Sequence, residues 1–126
     1  MSRETLEALY DAFGRGDMEA VAATYADDIE WRVNGPSPVA GTYHGKDAVF
    51  EFFQKMMGQY EGTLKVEVTA MVADDEHGFV RVRESASRPD EVSYSGIHAW
   101  RLGDGKCVGF ESFYDDAYYD FWSGRG

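Results

Sequence analysis

The first sixty residues carry apolar side chains mostly at the spacing of amphipathic helices. Three segments repeat an apolar side chain every three or four residues and therefore predict helices; they span residues 6–13, 18–25 and 46–60. Between the second and third segments, residues 29–33 alternate apolar and polar side chains, which predicts a strand. Residues 34–45 are rich in glycine and proline, so we expect a loop there that lies at the rim of a site.

Apolar and polar side chains alternate from residue 63 onwards, which is the period of β-strands. Turn residues at positions 74–78, 88–91 and 103–106 divide this part of the chain into four strands. The last turn contains Asp104-Gly105, a pair that is typical of two-residue hairpin loops. The aromatic residues between positions 118 and 122 predict a short helical turn that docks on the domain, since their rings would otherwise be exposed.

This order of elements predicts an α+β domain with the sequence α-α-β-α-β-β-β-β. A chain of 126 residues has the usual size of one domain, so we expect residues 1–126 to form a single domain. Long antiparallel strands curve, and three helices would then cover the concave face of the sheet and leave a cone-shaped pocket.

The composition excludes several classes of function. Twelve basic residues stand against 23 acidic ones, and a net charge of −11 disfavours binding to nucleic acid or to anionic membranes. The single cysteine, Cys107, permits no intramolecular disulfide, and no spacing typical of a metal site occurs. The N-terminus is too polar for a signal peptide and no segment is apolar enough to span a membrane, which predicts a cytoplasmic protein without a metal.

The strand before the last hairpin turn carries a histidine on an otherwise mostly apolar face. Its period places Tyr94, His98, Trp100 and Leu102 on one side and Ile97 and Ala99 on the other. A buried imidazole must find a partner or take part in chemistry. Apolar residues on both faces, with aromatics at 15% of the chain, predict a pocket on one face and a homodimer interface on the other.

Several segments resemble the SnoaL-like and ketosteroid-isomerase-like bacterial members of the nuclear transport factor 2-like superfamily. The resemblance covers nearly the whole chain and is carried by Gly16-Asp17, residues 25–31, residues 41–49, Ala73-Asp74-Asp75 and Gly105-Lys106. It implies a cone-shaped barrel, in which a curved antiparallel or mixed sheet wraps around three N-terminal helices. This fold hosts isomerases, cyclases, hydrolases, dehydratases and non-catalytic binders, so the resemblance specifies the fold better than the activity.

The resemblance also implies catalytic positions. His98 matches the oxyanion aspartate of ketosteroid isomerases and the penultimate-strand histidine of SnoaL-like cyclases. The general base of ketosteroid isomerases falls at Val33, which cannot accept a proton, and this disfavours steroid isomerisation by that route. The last-strand aspartate of SnoaL-like cyclases is matched by Asp115 or by Glu111, and the sequence leaves this choice open.

The residues that we expect to line the pocket and bind a substrate are mostly aromatic; they are Tyr10, Trp31, Val33, Tyr43, Phe53, Trp100 and Phe113. Each of them also has an ordinary explanation as a core residue, and His98 has one as a core histidine bonded to a neighbour.

Three hypotheses therefore remain at this point. The first is a cofactor-independent acid/base enzyme, an isomerase or a cyclase, that acts on a small hydrophobic carbonyl compound such as a polyketide, terpenoid or steroid-like molecule. The second is a domain that binds a small hydrophobic molecule without chemistry. The third is a dimerising interaction domain whose pocket is filled by its own side chains.

Overall fold

The computed structural model describes residues 2–123, which form four helices and a six-stranded sheet. The helices are α1 (Ser2–Arg15), α2 (Met18–Thr24), α3 (Lys46–Gln59) and α4 (Asp116–Trp122). The strands are β1 (Tyr25–Val33), β2 (Gly41–His44), β3 (Lys65–Ala73), β4 (His77–Ala86), β5 (Val92–Gly103) and β6 (Lys106–Tyr114). Their order in the sheet is β2-β1-β6-β5-β4-β3, and all neighbours are antiparallel except β1 and β6.

The predicted α+β architecture is confirmed, and the structure adds one strand to it. The segment 41–44, which we predicted as part of a long loop, forms β2 and pairs with β1, where Tyr43 lies opposite Trp31. Four residues are too few for a periodic signal, and the strand exists because β1 offers it a partner. The aromatic tail forms α4, which buries Tyr118 and Trp122 as expected but leaves Tyr119 41% exposed.

Local sequence signals explain where several elements begin and turn. Asp17 caps α2, since its Oδ1 accepts a hydrogen bond from the backbone N–H of Ala20 at 3.1 Å. The turn between β5 and β6 holds Asp104 and Gly105 at φ values of 53° and 75°, the left-handed conformation that a tight hairpin requires.

A β-bulge in β6 shifts the pairing of the last hairpin by one residue. Next to the turn, Leu102 pairs with Cys107, but Arg101 then pairs with Gly109, so that Val108 is the extra residue. Beyond the bulge, His98 lies opposite Ser112 instead of Glu111. Because the side chains of a strand alternate, this shift exchanges the two faces of β6 over the rest of its length.

A second bulge lies in β3, where Val68 pairs with Val82 but Ala70 pairs with Arg81. The alternation predicted Val72 on the same face as Leu64 and Val66. The bulge turns Met71 inward instead and leaves Val72 64% exposed.

The helices cover the inner face of the sheet. The main core lies between α1, α2, α3 and this face, and it includes Leu6, Val21, Val49 and Val80. A second cluster, beneath α4, joins Tyr60, Ala86, Tyr94, Tyr118 and Trp122. The candidate site lies where these two clusters meet.

Candidate functional site

A cavity of about 70 Å³ lies between the helices and the inner face of the sheet. Its wall is almost entirely apolar and rich in rings; Trp31, Phe53, Trp100 and Phe110 are among them. The polar side chains are concentrated on β4, β5 and β6, where Glu84, His98, Ser112 and Tyr114 line it. An apolar wall with a few placed polar groups is the usual form of a small-molecule site.

Most of the lining side chains that are only half-buried lie between α1, α3 and the start of β3; they are Tyr10, Phe13, Met56, Gln59, Leu64 and Val66. The remaining half-buried one is Tyr114 at the end of β6. The cavity therefore comes closest to the surface mainly between α1, α3 and β3.

The imidazole of His98 is hydrogen-bonded at both nitrogens. Its Nδ1 lies 2.5 Å from the hydroxyl of Tyr10, and its Nε2 lies 3.0 Å from Oε2 of Glu84. The Tyr114 hydroxyl is also 3.1 Å from Nε2, and donates to Oε2 of Glu84 at 2.8 Å. The sheet brings the trio together, since His98 and Glu84 lie on the inner faces of the paired strands β5 and β4 while Tyr10 reaches down from α1.

Two indole groups fix the direction of this network, since an indole N–H can only donate. Trp100 Nε1 donates to the Tyr10 hydroxyl at 3.0 Å. We therefore assign the Tyr10 hydroxyl as the donor of its hydrogen bond to His98 Nδ1. On the other side, Trp122 Nε1 donates to the Tyr60 hydroxyl at 3.1 Å. The Tyr60 and Tyr94 hydroxyls are 2.8 Å apart, and Tyr94 donates to Oε1 of Glu84 at 2.9 Å.

The hydrogen bonds therefore run towards Glu84 from both sides, from Trp100 through Tyr10 and His98 and from Trp122 through Tyr60 and Tyr94. A carboxylate only accepts hydrogen bonds, so this arrangement suits an ionised Glu84. With Nε2–H given to Glu84, Nδ1 of His98 is the acceptor for the Tyr10 hydroxyl. Burial raises the pKa of Tyr10 well above its usual value, against the opposing effect of the Trp100 hydrogen bond, and the phenol therefore stays neutral.

Our sequence reasoning missed three polar residues of the site, Glu84, Ser112 and Tyr114, and of these Glu84 is the one that pairs with His98 as a carboxylate. Its side chain is 5% exposed and supplies the carboxylate partner of His98. The signal was present, since Glu84 continues the inward alternation of Val80 and Val82 in β4. A charged residue at an inward position of a strand indicates a partner within the core.

The structure does not bring the two predicted acids to His98, and the bulge in β6 is the reason. Glu111 lies on the outer face, where Asn34 Nδ2 donates to its Oε2 at 2.9 Å and Arg32 lies 4.0 Å away. Asp115 is exposed and accepts a hydrogen bond from the backbone N–H of Ser95 at 3.1 Å. Beyond the bulge, the inward side chains of β6 are those of Phe110, Ser112 and Tyr114.

Five of the seven predicted substrate-binding residues line the cavity; they are Tyr10, Trp31, Val33, Phe53 and Trp100. Phe113 does not, because the bulge turns it to the outer face, where it is 47% exposed. Tyr43 packs behind the wall instead: its ring contacts Phe52 at a centroid distance of 5.2 Å, and its hydroxyl donates to the Val39 carbonyl at 2.6 Å.

Three polar atoms in the cavity wall have no hydrogen-bond partner among residues 2–123. They are the indole Nε1 of Trp31, the hydroxyl of Ser112 and Oε1 of Gln59. The side chains of Trp31 and Ser112 are at least nine-tenths buried, whereas Gln59 is half-buried. Buried polar groups in native proteins are almost always paired, so unpaired ones in a cavity wall indicate contacts that a ligand can make.

No group of three His, Cys, Asp or Glu side chains among residues 2–123 is placed to hold a metal ion. No helix within residues 2–123 is long and apolar enough to cross a membrane.

Comparison with known proteins agrees with the resemblance that the sequence shows. A family model described as "SnoaL-like domain" matches residues 6–110. A search of curated proteins finds no significant match.

Solved structures match the fold over nearly the whole chain. Bal32a, from a soil-derived mobile gene cassette, has a TM-score of 0.88 and 25% identity over 96% of this chain and 95% of that one. An NTF2-like protein of unknown function from Burkholderia pseudomallei has a TM-score of 0.83 and 25% identity, with coverages of 93% and 92%. A protein of unknown function with a cystatin-like fold from Xanthomonas campestris has a TM-score of 0.87 and 22% identity, with coverages of 96% and 97%. These likenesses confirm the predicted cone fold.

Proposed function

The chain belongs to the SnoaL-like domain family, and we propose that it is a cofactor-independent acid/base enzyme, an isomerase or a cyclase, acting on a small hydrophobic carbonyl compound. The observation that carries the proposal is the hydrogen-bonded trio of Tyr10, His98 and Glu84 in the wall of an aromatic cavity. The order of a hydroxyl, an imidazole and a carboxylate is the arrangement by which enzymes activate a hydroxyl group.

In this mechanism Tyr10 exchanges the proton with the substrate. As its oxygen takes a proton from the carbon next to the substrate carbonyl, its own proton passes to Nδ1 of His98. The resulting imidazolium is stabilised by Glu84, which already accepts the Nε2–H bond. Because the two transfers are concerted, no free phenolate is needed, which fits the raised pKa of Tyr10.

The return of the proton to another atom of the substrate would complete an isomerisation. His98 gives the proton back to Tyr10, and Tyr10 delivers it to the substrate, so the enzyme ends in its starting state. The apolar wall excludes water and strengthens the electrostatic interactions inside the cavity.

This proposal is tested with cyclohexanone in deuterium oxide, by NMR measurement of the loss of the hydrogens next to its carbonyl. We expect the wild-type protein to accelerate the exchange. His98→Ala should lower the rate about 100-fold or more, since general acid/base catalysis contributes on this order. Glu84→Gln should also slow the exchange, because it removes the charge that stabilises the imidazolium.

The matched control is His44→Ala, which removes an exposed histidine of β2 and should leave the rate unchanged. If His98→Ala exchanged the hydrogens as fast as the wild-type protein, or if the wild-type protein did not accelerate the exchange, the trio would not be a general acid/base for ketones.

Two points favour a second candidate, a domain that binds its ligand without chemistry. Both nitrogens of His98 already have protein partners, and the resemblance to ketosteroid isomerases puts Val33 at the position of their base. In that case small cyclic ketones should bind in the cavity, which perturbs the indole signals of Trp31 and Trp100, while the exchange rate stays at the uncatalysed value.

A further inference from the structure

We infer that the Ser112 hydroxyl binds a second oxygen atom of the ligand, so that the cavity selects small apolar carbonyl compounds that carry a further hydroxyl or carbonyl group. This inference rests on the proposed function, because it names the ligand class of the same cavity.

The hydroxyl of Ser112 is buried without a partner. The residue is 1% exposed, it lines the cavity, and its Oγ makes no hydrogen bond to any of the residues 2–123. A polar group in this condition destabilises the folded state unless something else satisfies it. An alanine would fill the same position without that penalty, so the hydroxyl calls for an explanation outside the fold.

The backbone, rather than the hydroxyl, holds Ser112 in place. The residue pairs with His98 in β5 and with Val33 in β1, and its carbonyl accepts a hydrogen bond from Asn34 Nδ2 at 2.9 Å. The backbone and the Cβ atom are therefore fixed in position before any ligand arrives, which favours a specific contact.

The location of Ser112 makes the contact possible. One row of directly paired residues crosses the sheet, from Val80 through His98 and Ser112 to Val33. Directly opposed residues on one face of antiparallel strands have Cβ atoms about 4.5–5.5 Å apart. A ring that lies against Tyr10, beside His98, therefore has Ser112 within range of a second oxygen atom.

Trp31 adds a second observation of the same kind. Its Nε1 is also buried and without a partner in the described structure, and it lies in the wall of the same cavity. An indole N–H is a donor only, so the wall offers a donor to an acceptor atom, and oxygen is the acceptor that fits a carbonyl compound.

The test measures the dissociation constants of phenol, resorcinol and hydroquinone by NMR titration of the indole signals. The samples are kept under an oxygen-free atmosphere. Phenol resembles the enol of a cyclic ketone, and each of the other two adds one hydroxyl. We expect wild-type protein to bind resorcinol or hydroquinone about tenfold more tightly than phenol, equivalent to about 1.4 kcal/mol. Ser112→Ala should abolish this difference, leave the affinity for phenol unchanged and not lower the melting temperature.

The matched control is Ser37→Ala, which removes a buried serine hydroxyl outside the cavity lining and should keep the tenfold difference. Equal affinities for all three compounds in the wild-type protein, or a preference that survives in Ser112→Ala, would overturn the inference. So would a loss of melting temperature in Ser112→Ala, since it would reveal a structural role. The titration is independent of the exchange assay: a preference for the diols without ketone exchange contradicts the proposed enzyme alone, and exchange without a preference contradicts the role of Ser112 alone.

Discussion

Glu84 determines what His98 can do. A buried carboxylate is tolerated only when donors surround it, and Tyr94, Tyr114 and His98 supply three. The same bonds orient the imidazole, so that Nδ1 faces Tyr10. A lone core histidine would have no such orientation. The carboxylate therefore turns a packing residue into a group that can hold and return a proton.

The cysteine offers a test of burial at the same scale. Burial raises the pKa of the Cys107 thiol to about 12, and its side chain is fully buried. Because the thiolate is the reactive form, we expect no reaction with a disulfide reagent in the folded protein at mildly alkaline pH. One thiol should react when a denaturant unfolds the chain. A fast reaction of the folded protein would contradict the packing around the start of β6.

At the residue scale, the sequence predicted His98 and five wall residues but not the partner of His98. The histidine stood out because it interrupted an apolar row. Glu84 followed the same rule in β4, yet its neighbours Arg83 and Ser85 are polar and hide the alternation. Tyr10 was identified as a wall residue, but its bond to His98 joins positions 88 residues apart and leaves no local signal.

At the scale of elements, pairing decided what periodicity could not. The bulges in β3 and β6 each insert one residue, and no composition rule locates such an insertion. The helices and the hairpin turn were predictable, since caps, turn residues and period all agree there. Strand β2 was not, because its four residues gain their structure from β1.

The contact between β5 and β6 leads to a prediction at Gly96. A Cβ atom there would overlap the backbone carbonyl of Phe113 and the ring of Tyr114. We expect Gly96→Ala to lower the free energy of unfolding by about 2 kcal/mol or more, since overpacking a core commonly costs about 1–3 kcal/mol. Denaturant unfolding measures the change.

Gly58→Ala is the matched control for this substitution. Gly58 lies in α3, where a Cβ meets no atom, so the change should stabilise the protein by about 0.4–1 kcal/mol. If both glycine variants unfolded at the same denaturant concentration, the close approach of Tyr114 to Gly96 would be wrong.

At the scale of the whole molecule, the buried tyrosines predict how the protein responds to alkali. Burial raises the pKa of Tyr10, Tyr25, Tyr94 and Tyr114 above the usual value. The unfolded chain loses these protons first, at about pH 10, so the stability is complete below that pH and falls as the pH rises above it.

We therefore expect most of the phenolate absorbance to appear together with the loss of the circular dichroism signal. The measurement is a joint titration of both signals from neutral to strongly alkaline pH. Smooth ionisation of most tyrosines at about pH 10 in a folded protein would contradict the predicted burial.

The outer face of the sheet supports our proposal of a homodimer. An apolar surface formed by Val72, Phe79, Ile97 and Phe113 lies exposed across β3 to β6. Charged side chains lie beside it: Arg81 and Arg83 on β4, and the ion pairs of Arg101 with Glu30 at 3.8 Å and of Arg32 with Glu111 at 4.0 Å. A two-fold axis along β5 would place β4 of each copy over β6 of the other.

Phe79→Glu should then convert a dimer into a monomer, because it places a carboxylate in the apolar surface. Light scattering during gel filtration measures the mass. Met57→Glu, at an exposed position of α3 away from the sheet, should leave the dimer intact. A wild-type protein that is monomeric at high concentration would refute this assembly.

The bulge at Val108 has a consequence for how such a gene can change. Loss of that one codon would remove the extra residue, so that Gly109 follows Cys107 and Ser112 still lies opposite His98. The inward side chains beyond it would keep their face, because every pair from Arg101–Gly109 onwards is unchanged. A single in-frame deletion at the bulge would thus straighten the hairpin without moving any group of the site, whereas the loss of a codon further along β6 would exchange the two faces of the residues beyond it.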